Sequence, residues 1–115
     1  MKAILLRIHV PEGQRHQGML LWEWLLQRGS ELGARGGSVL RPIAGFGRHH
    51  VLREQKFFEL AGSLNVQVEL QVSDEQMQHL LEQVRGTGIR LSYSTMEISL
   101  GVLNPDAQDA APPMP

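Results

Sequence analysis

The chain has 115 residues, 42% of them hydrophobic, and a formal net charge of -1 from 12 acidic and 11 basic side chains. That length supports one domain with one core and is short for two, while the near-neutral charge excludes the overall basic field that draws a protein to nucleic acid or an anionic membrane. The absence of cysteine removes disulfides, thiol catalysis and thiolate metal sites, and fits a reducing compartment.

The N-terminal segment MKAILLRIHVPEG is interrupted by Arg7 and His9 and lacks a small-residue cleavage site. The apolar run over residues 19–26 is broken by Glu23 and falls far short of the roughly 20 residues that span a bilayer. A cytoplasmic protein without membrane insertion is expected. Over residues 2–10 the pattern alternates, with Ile4, Leu6, Ile8 and Val10 on one side and Ala3, Leu5, Arg7 and His9 on the other, as a strand requires. Residues 18–32 read as a helix whose polar stripe is only Glu23, Gln27, Ser30 and Glu31. A helix so apolar around its girth needs more cover than one sheet face gives, so part of it is expected to meet another subunit.

A second strand is predicted over residues 38–47. Pro42 within it cannot donate to a ladder, which places that strand at a sheet edge or a bulge. Residues 48–63 show no clean period. Residues 65–72, NVQVELQV, alternate strictly and predict a strand with one wet side. Ser73 with Gln76 three residues on matches a capping box, Met77, Leu80, Leu81 and Val84 mark one helical face, and Gly86 is expected to close that helix. Residues 89–100 are strand-like, but the apolar set moves from odd positions (Ile89, Leu91, Tyr93) to even ones (Met96, Ile98, Leu100), which predicts a bulge.

The order strand, helix, strand, strand, helix, strand predicts an α+β, ferredoxin-like βαββαβ sandwich. Its antiparallel sheet has strand order 4-1-3-2, and both helices lie on one face. The second strand is then an edge, in agreement with Pro42. One domain is expected over residues 1–103, followed by a disordered tail over 104–115, where three of the last four residues are proline.

The stretch from Arg41 to Lys56 holds four Lys or Arg residues against the single acid Glu54, with His49 and His50 able to add charge at lower pH. Gly45 and Gly47 allow a sharp turn that exposes N–H groups to phosphate oxygens, and arginines offer forked donors to the same oxygens. The competing reading is a glycine-bounded surface loop with solvated charges. Arg15 precedes the first helix, where an anion is also welcome; there the competing reading is a plain turn. His49 and His50 are adjacent and point to opposite faces of an extended chain, so no metal site is expected. Arg7 and Glu69 are expected to form a cross-strand pair on the wet face. No nucleophile elbow, HExxH or other catalytic set is present, and no enzyme is expected.

The segments LLRIHVPEGQRHQGMLLWEWLL, GSVLRPIAGFG and LNVQVEL, in that order, resemble the PII-like family catalogued as domain of unknown function 190. The most specific piece, residues 39–47, is similar to the family's Val-Leu-Arg-Gly-Ile-x-Gly-Phe-Gly, with Pro42 where glycine is common, and Arg15 matches the family's arginine before the first helix. The resemblance implies a homotrimer with ligand clefts between subunits and a long loop after the second strand. It also implies a regulatory role: sensing a small anionic metabolite, such as an adenine nucleotide, and passing that state to a partner, often a membrane transporter. On this reading Arg15, Arg41, Gly45, Phe46, Gly47 and Arg48 bind the ligand, and His49, His50 and Arg53 on the loop face the partner. The alternative is a trimeric structural or protein-interaction module without a small-molecule site.

Overall fold

The computed structural model describes residues 1–46, 53–54 and 65–109. Within them the main sheet is built from β1 (Lys2–Pro11), β4 (Gly36–Leu40), β7 (Asn65–Val72) and β8 (Ser92–Ser99), in the order β4-β7-β1-β8. Counting only these strands, this is the expected 4-1-3-2 order read from the other edge. Helix α1 (Leu21–Glu31) follows β1, and helix α2 (Asp74–Thr87) follows β7. Two short ribbons complete the described elements. One pairs β2 (Arg15–His16) with β3 (Met19–Leu20), and the other pairs β5 (Ala44–Gly45) with β6 (Arg53–Glu54).

The alternation in β1 and β7 decides which face the helices cover. Leu6, Ile8 and Val10 stand directly opposite Leu70, Val68 and Val66, and all six are buried. Helix α1 sets Leu21, Trp24 and Leu25 on this surface, and α2 adds Met77, Leu80 and Leu81, the three- and four-residue spacing that one helical face demands. The sheet's other face carries Arg7 and Glu69, paired in register, with Arg7 Nε donating to Glu69 Oε1 at 2.8 Å. The expected cross-strand pair is therefore present.

Close approach of α1 and β4 depends on small residues. A Cβ on Gly37 would lie 2.7 Å from a Leu70 methyl and 3.2 Å from a Leu26 methyl, and one on Gly29 would lie 2.9 Å from Leu70. The missing side chains let Leu70 fill the space under the helix and let Leu26 lie over the edge strand.

Several expectations need correction. The edge strand ends at Leu40, so Pro42 lies beyond it, in the link to β5. The strand is peripheral, as Pro42 suggested, but the proline sits past its end. Helix α1 begins at Leu21 because the β2–β3 ribbon precedes it, and the Leu21 N–H donates to the Gln14 carbonyl at 2.8 Å, supplying a cap that no side chain provides.

On α1, Trp22 and Leu26 pack half-buried at the margin of the core, and no large apolar residue of this helix is among the exposed ones. Helix α2 has the predicted capping box from Ser73 and Gln76, but it passes through Gly86 and ends at Gly88, which takes a left-handed φ of 72°. Finally, β1 and β8 pair without interruption from Lys2 opposite Ser99 to His9 opposite Ser92, so there is no bulge among these residues. The apolar set changes parity because Tyr93 lies on the helix side while Met96 and Ile98 lie on the other face, opposite Leu5 and Ala3.

Candidate functional site

Strand direction gathers the candidate residues. Strand β1 is antiparallel to β7 and β8, and β4 is antiparallel to β7. The C-terminal ends of β1 and β4 therefore share one end of the sheet with the N-terminal ends of β7 and β8. Each helix runs back from the strand before it, so α1 starts at this end and α2 finishes there. Arg15, in the ribbon between β1 and α1, and Arg41, directly after β4, are thus brought to the same edge, followed by Gly45 and the exposed Phe46.

Both arginines are engaged with protein oxygens. Arg15 donates through Nη1 to the Gly18 carbonyl at 3.1 Å, across the tip of a ribbon whose Gln17 and Gly18 have positive φ. Arg41 donates through Nη2 to Oε1 of Glu12, on the turn that leaves β1. That turn is held at both ends, by Gln14 N–H to the Pro11 carbonyl at 3.1 Å and by Leu21 N–H to the Gln14 carbonyl. Glu12 is thus a carboxylate carried on a fixed turn, facing the segment that leads out of β4.

Gly47, Arg48, His49 and His50 lie outside the described residues, as do residues 55–64. Arg53 enters through its backbone, which pairs with Gly45 in the short β5–β6 ribbon. Among the described residues no group of three or more His, Asp or Glu side chains is placed to hold a metal ion. His16 instead lies edge-on to Trp24, with ring centroids 5.0 Å apart.

Two participants had not been singled out from the sequence. Glu12 is 29 residues from Arg41 and no local spacing links them; only the parallel course of β1 and β4 does. Arg90 lies in the turn between α2 and β8, at this same end, beside a cleft of about 210 Å³ whose walls include Ile8, Leu81, Val84, Ile89 and Tyr93. Its neighbour Arg85 is paired with Glu82 at 3.0 Å, whereas no ion pair holds Arg90 among the described residues. The strand order places the start of the last strand beside the end of the first, so Arg90 was legible in principle.

This architecture is that of solved PII-like proteins. The chain superimposes on CPII, a nitrogen regulatory PII-like protein from Thiomonas intermedia K12 in a structure bound to ADP, AMP and bicarbonate, with a TM-score of 0.63 and 16% identity over 89% of this chain and 91% of that one. A putative PII-like signaling protein from Thermus thermophilus superimposes with a TM-score of 0.61 and 19% identity, over 85% and 88% of the two chains. At such identities the likeness establishes the fold. Residues 3–95 match the model of the DUF190 family, described as uncharacterized ACR, COG1993. The chain is also 38% identical over 85 residues to a UPF0166 protein of Aquifex aeolicus (strain VF5), covering 74% of this chain and 81% of that relative. The protein belongs to the DUF190 family.

Proposed function

We propose that the protein is a PII-like regulatory protein that binds an anionic metabolite, with an adenine nucleotide as the leading candidate, at the arginine-bearing end of its sheet. The observation that carries this reading is the placement of Arg15, Arg41 and Arg90, from three separate parts of the chain, at that end of the sheet, Arg41 beside one edge strand and Arg90 beside the other. Arginines present forked donors matched to phosphate oxygens, and the apolar cleft beside Arg90 offers a surface for a planar group. The binding of ADP and AMP by the similarly folded CPII supports the choice of ligand class.

The reading extends to assembly as a cytoplasmic homotrimer with ligand sites at the seams. Its support is the sheet face away from the helices, where Met96 is exposed opposite Leu5, Leu40 is exposed opposite Gln67, and no described element lies over them. Segment 47–64, which starts at the site, would carry the ligand state to a partner protein, with a membrane transporter as one candidate. On this reading the protein signals by occupancy and is not an enzyme. Calorimetric titration with ADP, AMP and ATP tests it, with Arg41→Ala and Arg15→Ala as controls. Micromolar binding that either substitution weakens at least tenfold is expected, and no heat with any of the three at millimolar ligand would overturn it.

A second reading, an interaction module without a small-molecule site, draws on the engagement of Arg15 and Arg41 by protein oxygens and on the exposure of Ile43 and Phe46 beside them. Deleting residues 47–64 separates the two, because this reading requires partner capture that nucleotide does not alter.

A further inference from the structure

We infer that Glu12 is a built-in competitor for the ligand: its carboxylate occupies Arg41 while the site is empty, and an incoming anion must displace it. The inference rests on the anion-site reading of Arg41 given above. Three features carry it. The Glu12 carboxylate sits directly on the Arg41 guanidinium, where a phosphate or carboxylate oxygen of a ligand would sit. The turn bearing Glu12 is fixed by backbone hydrogen bonds at Gln14 and Leu21, so the carboxylate is presented there by the fold. The pair is also open to solvent, with the Arg41 and Glu12 side chains 50% and 33% exposed.

That exposure decides how strongly the competitor acts. A screened ion pair of this kind favours its closed form by up to about fivefold, in contrast to a buried pair, which would lock the arginine. A ligand that binds only the open form has its apparent affinity lowered by the fraction of molecules that are open. Glu12 therefore sets a threshold: a small monoanion gains little by exchanging one carboxylate for another, whereas a polyphosphate offers several oxygens and more charge in return. The same exchange releases the turn after β1 from the segment that leads out of β4.

The test uses the full chain and ADP as the probe, titrated at low ionic strength into the wild type, Glu12→Gln, Glu12→Asp and Arg41→Ala, with a thermal melt of each. Glu12→Gln should bind ADP more tightly than the wild type, by up to about fivefold, the pair's contribution having been removed. Glu12→Asp, which shortens the reach by one methylene but keeps the charge and the turn, should show a smaller gain, and Arg41→Ala should bind more weakly than the wild type. If the wild type binds and both Glu12 variants bind equally or less tightly, Glu12 holds Arg41 in place for the ligand and the inference is overturned. If neither the wild type nor any variant binds at millimolar ADP, the anion-site reading falls, and the inference with it, a result distinct from the preceding one.

Discussion

The contact between Leu70, Gly37 and Gly29 should behave as one energetic unit. Leu70 is 1% exposed, stands between Leu6 of β1 and Gly37 of β4 in the sheet, and puts its methyls against two positions that lack side chains. Gly37→Ala in a strand would ordinarily gain a little stability by restricting the unfolded chain. Here the new methyl would meet Leu70 at 2.7 Å and Leu26 at 3.2 Å, so overpacking should win, at a cost of about 1–3 kcal/mol.

Leu70→Ala alone should cost about 3–5 kcal/mol, toward the upper end for such a truncation, because neither glycine can extend into the space left. In the double variant the alanine methyl at 37 enters part of that space, so the two costs should fall short of their sum by at least about 1 kcal/mol. Urea unfolding followed by circular dichroism, at one fixed protein concentration so that self-association contributes equally, measures all four corners of the cycle. Simple additivity, or a stabilising Gly37→Ala, would refute the close packing of α1 against the edge strand.

Other consequences are smaller and equally specific. Ser73→Ala removes the acceptor for the Gln76 N–H and should lower stability by about 1 kcal/mol, read as a lower melting temperature. Gln76→Ala should cost at least as much, since that side chain also accepts from the Ser73 N–H and donates to the Gly33 carbonyl at 3.0 Å, joining the start of α2 to the end of α1. A double-mutant cycle on Arg7 and Glu69 should give a coupling of no more than about 1 kcal/mol, falling toward zero in 1 M salt. Gly88→Ala should cost about 1 kcal/mol, because the helix ends on a left-handed residue there.

The parts of this protein legible in its sequence are those where one local rule acts alone. Residues 65–72 alternate without exception because β7 is an inner strand with one face on the core, and Ser73 to Gln76 announced a helix start because capping is decided within four residues. Reading failed where tertiary context overrode the local pattern. Two-residue strands such as Arg15–His16 and Met19–Leu20 are too short to show a period, so their ribbon was absorbed into a longer helix. The last strand gave a false bulge because it is an edge strand exposed over most of its length, where apolarity no longer marks one face. The end of α2 was set two residues early because Gly86 is tolerated within the helix, while the left-handed turn falls at Gly88.

The candidate site was legible in its cations and not in its counter-charge. Arg41 and Arg15 stood out through the residues around them, and the strand order alone brought them together. Glu12 could not be paired with Arg41 from any spacing, since the contact depends on β1 and β4, on either side of β7, finishing at the same end of the sheet.

The most direct test of the account is amide hydrogen exchange along the chain with and without saturating ADP. Protection should gather on residues 12–18, 41–46 and 88–92, the three segments at the arginine-bearing end of the sheet. Protection confined to the opposite end, around Met1, Arg35 and Leu100, would contradict it.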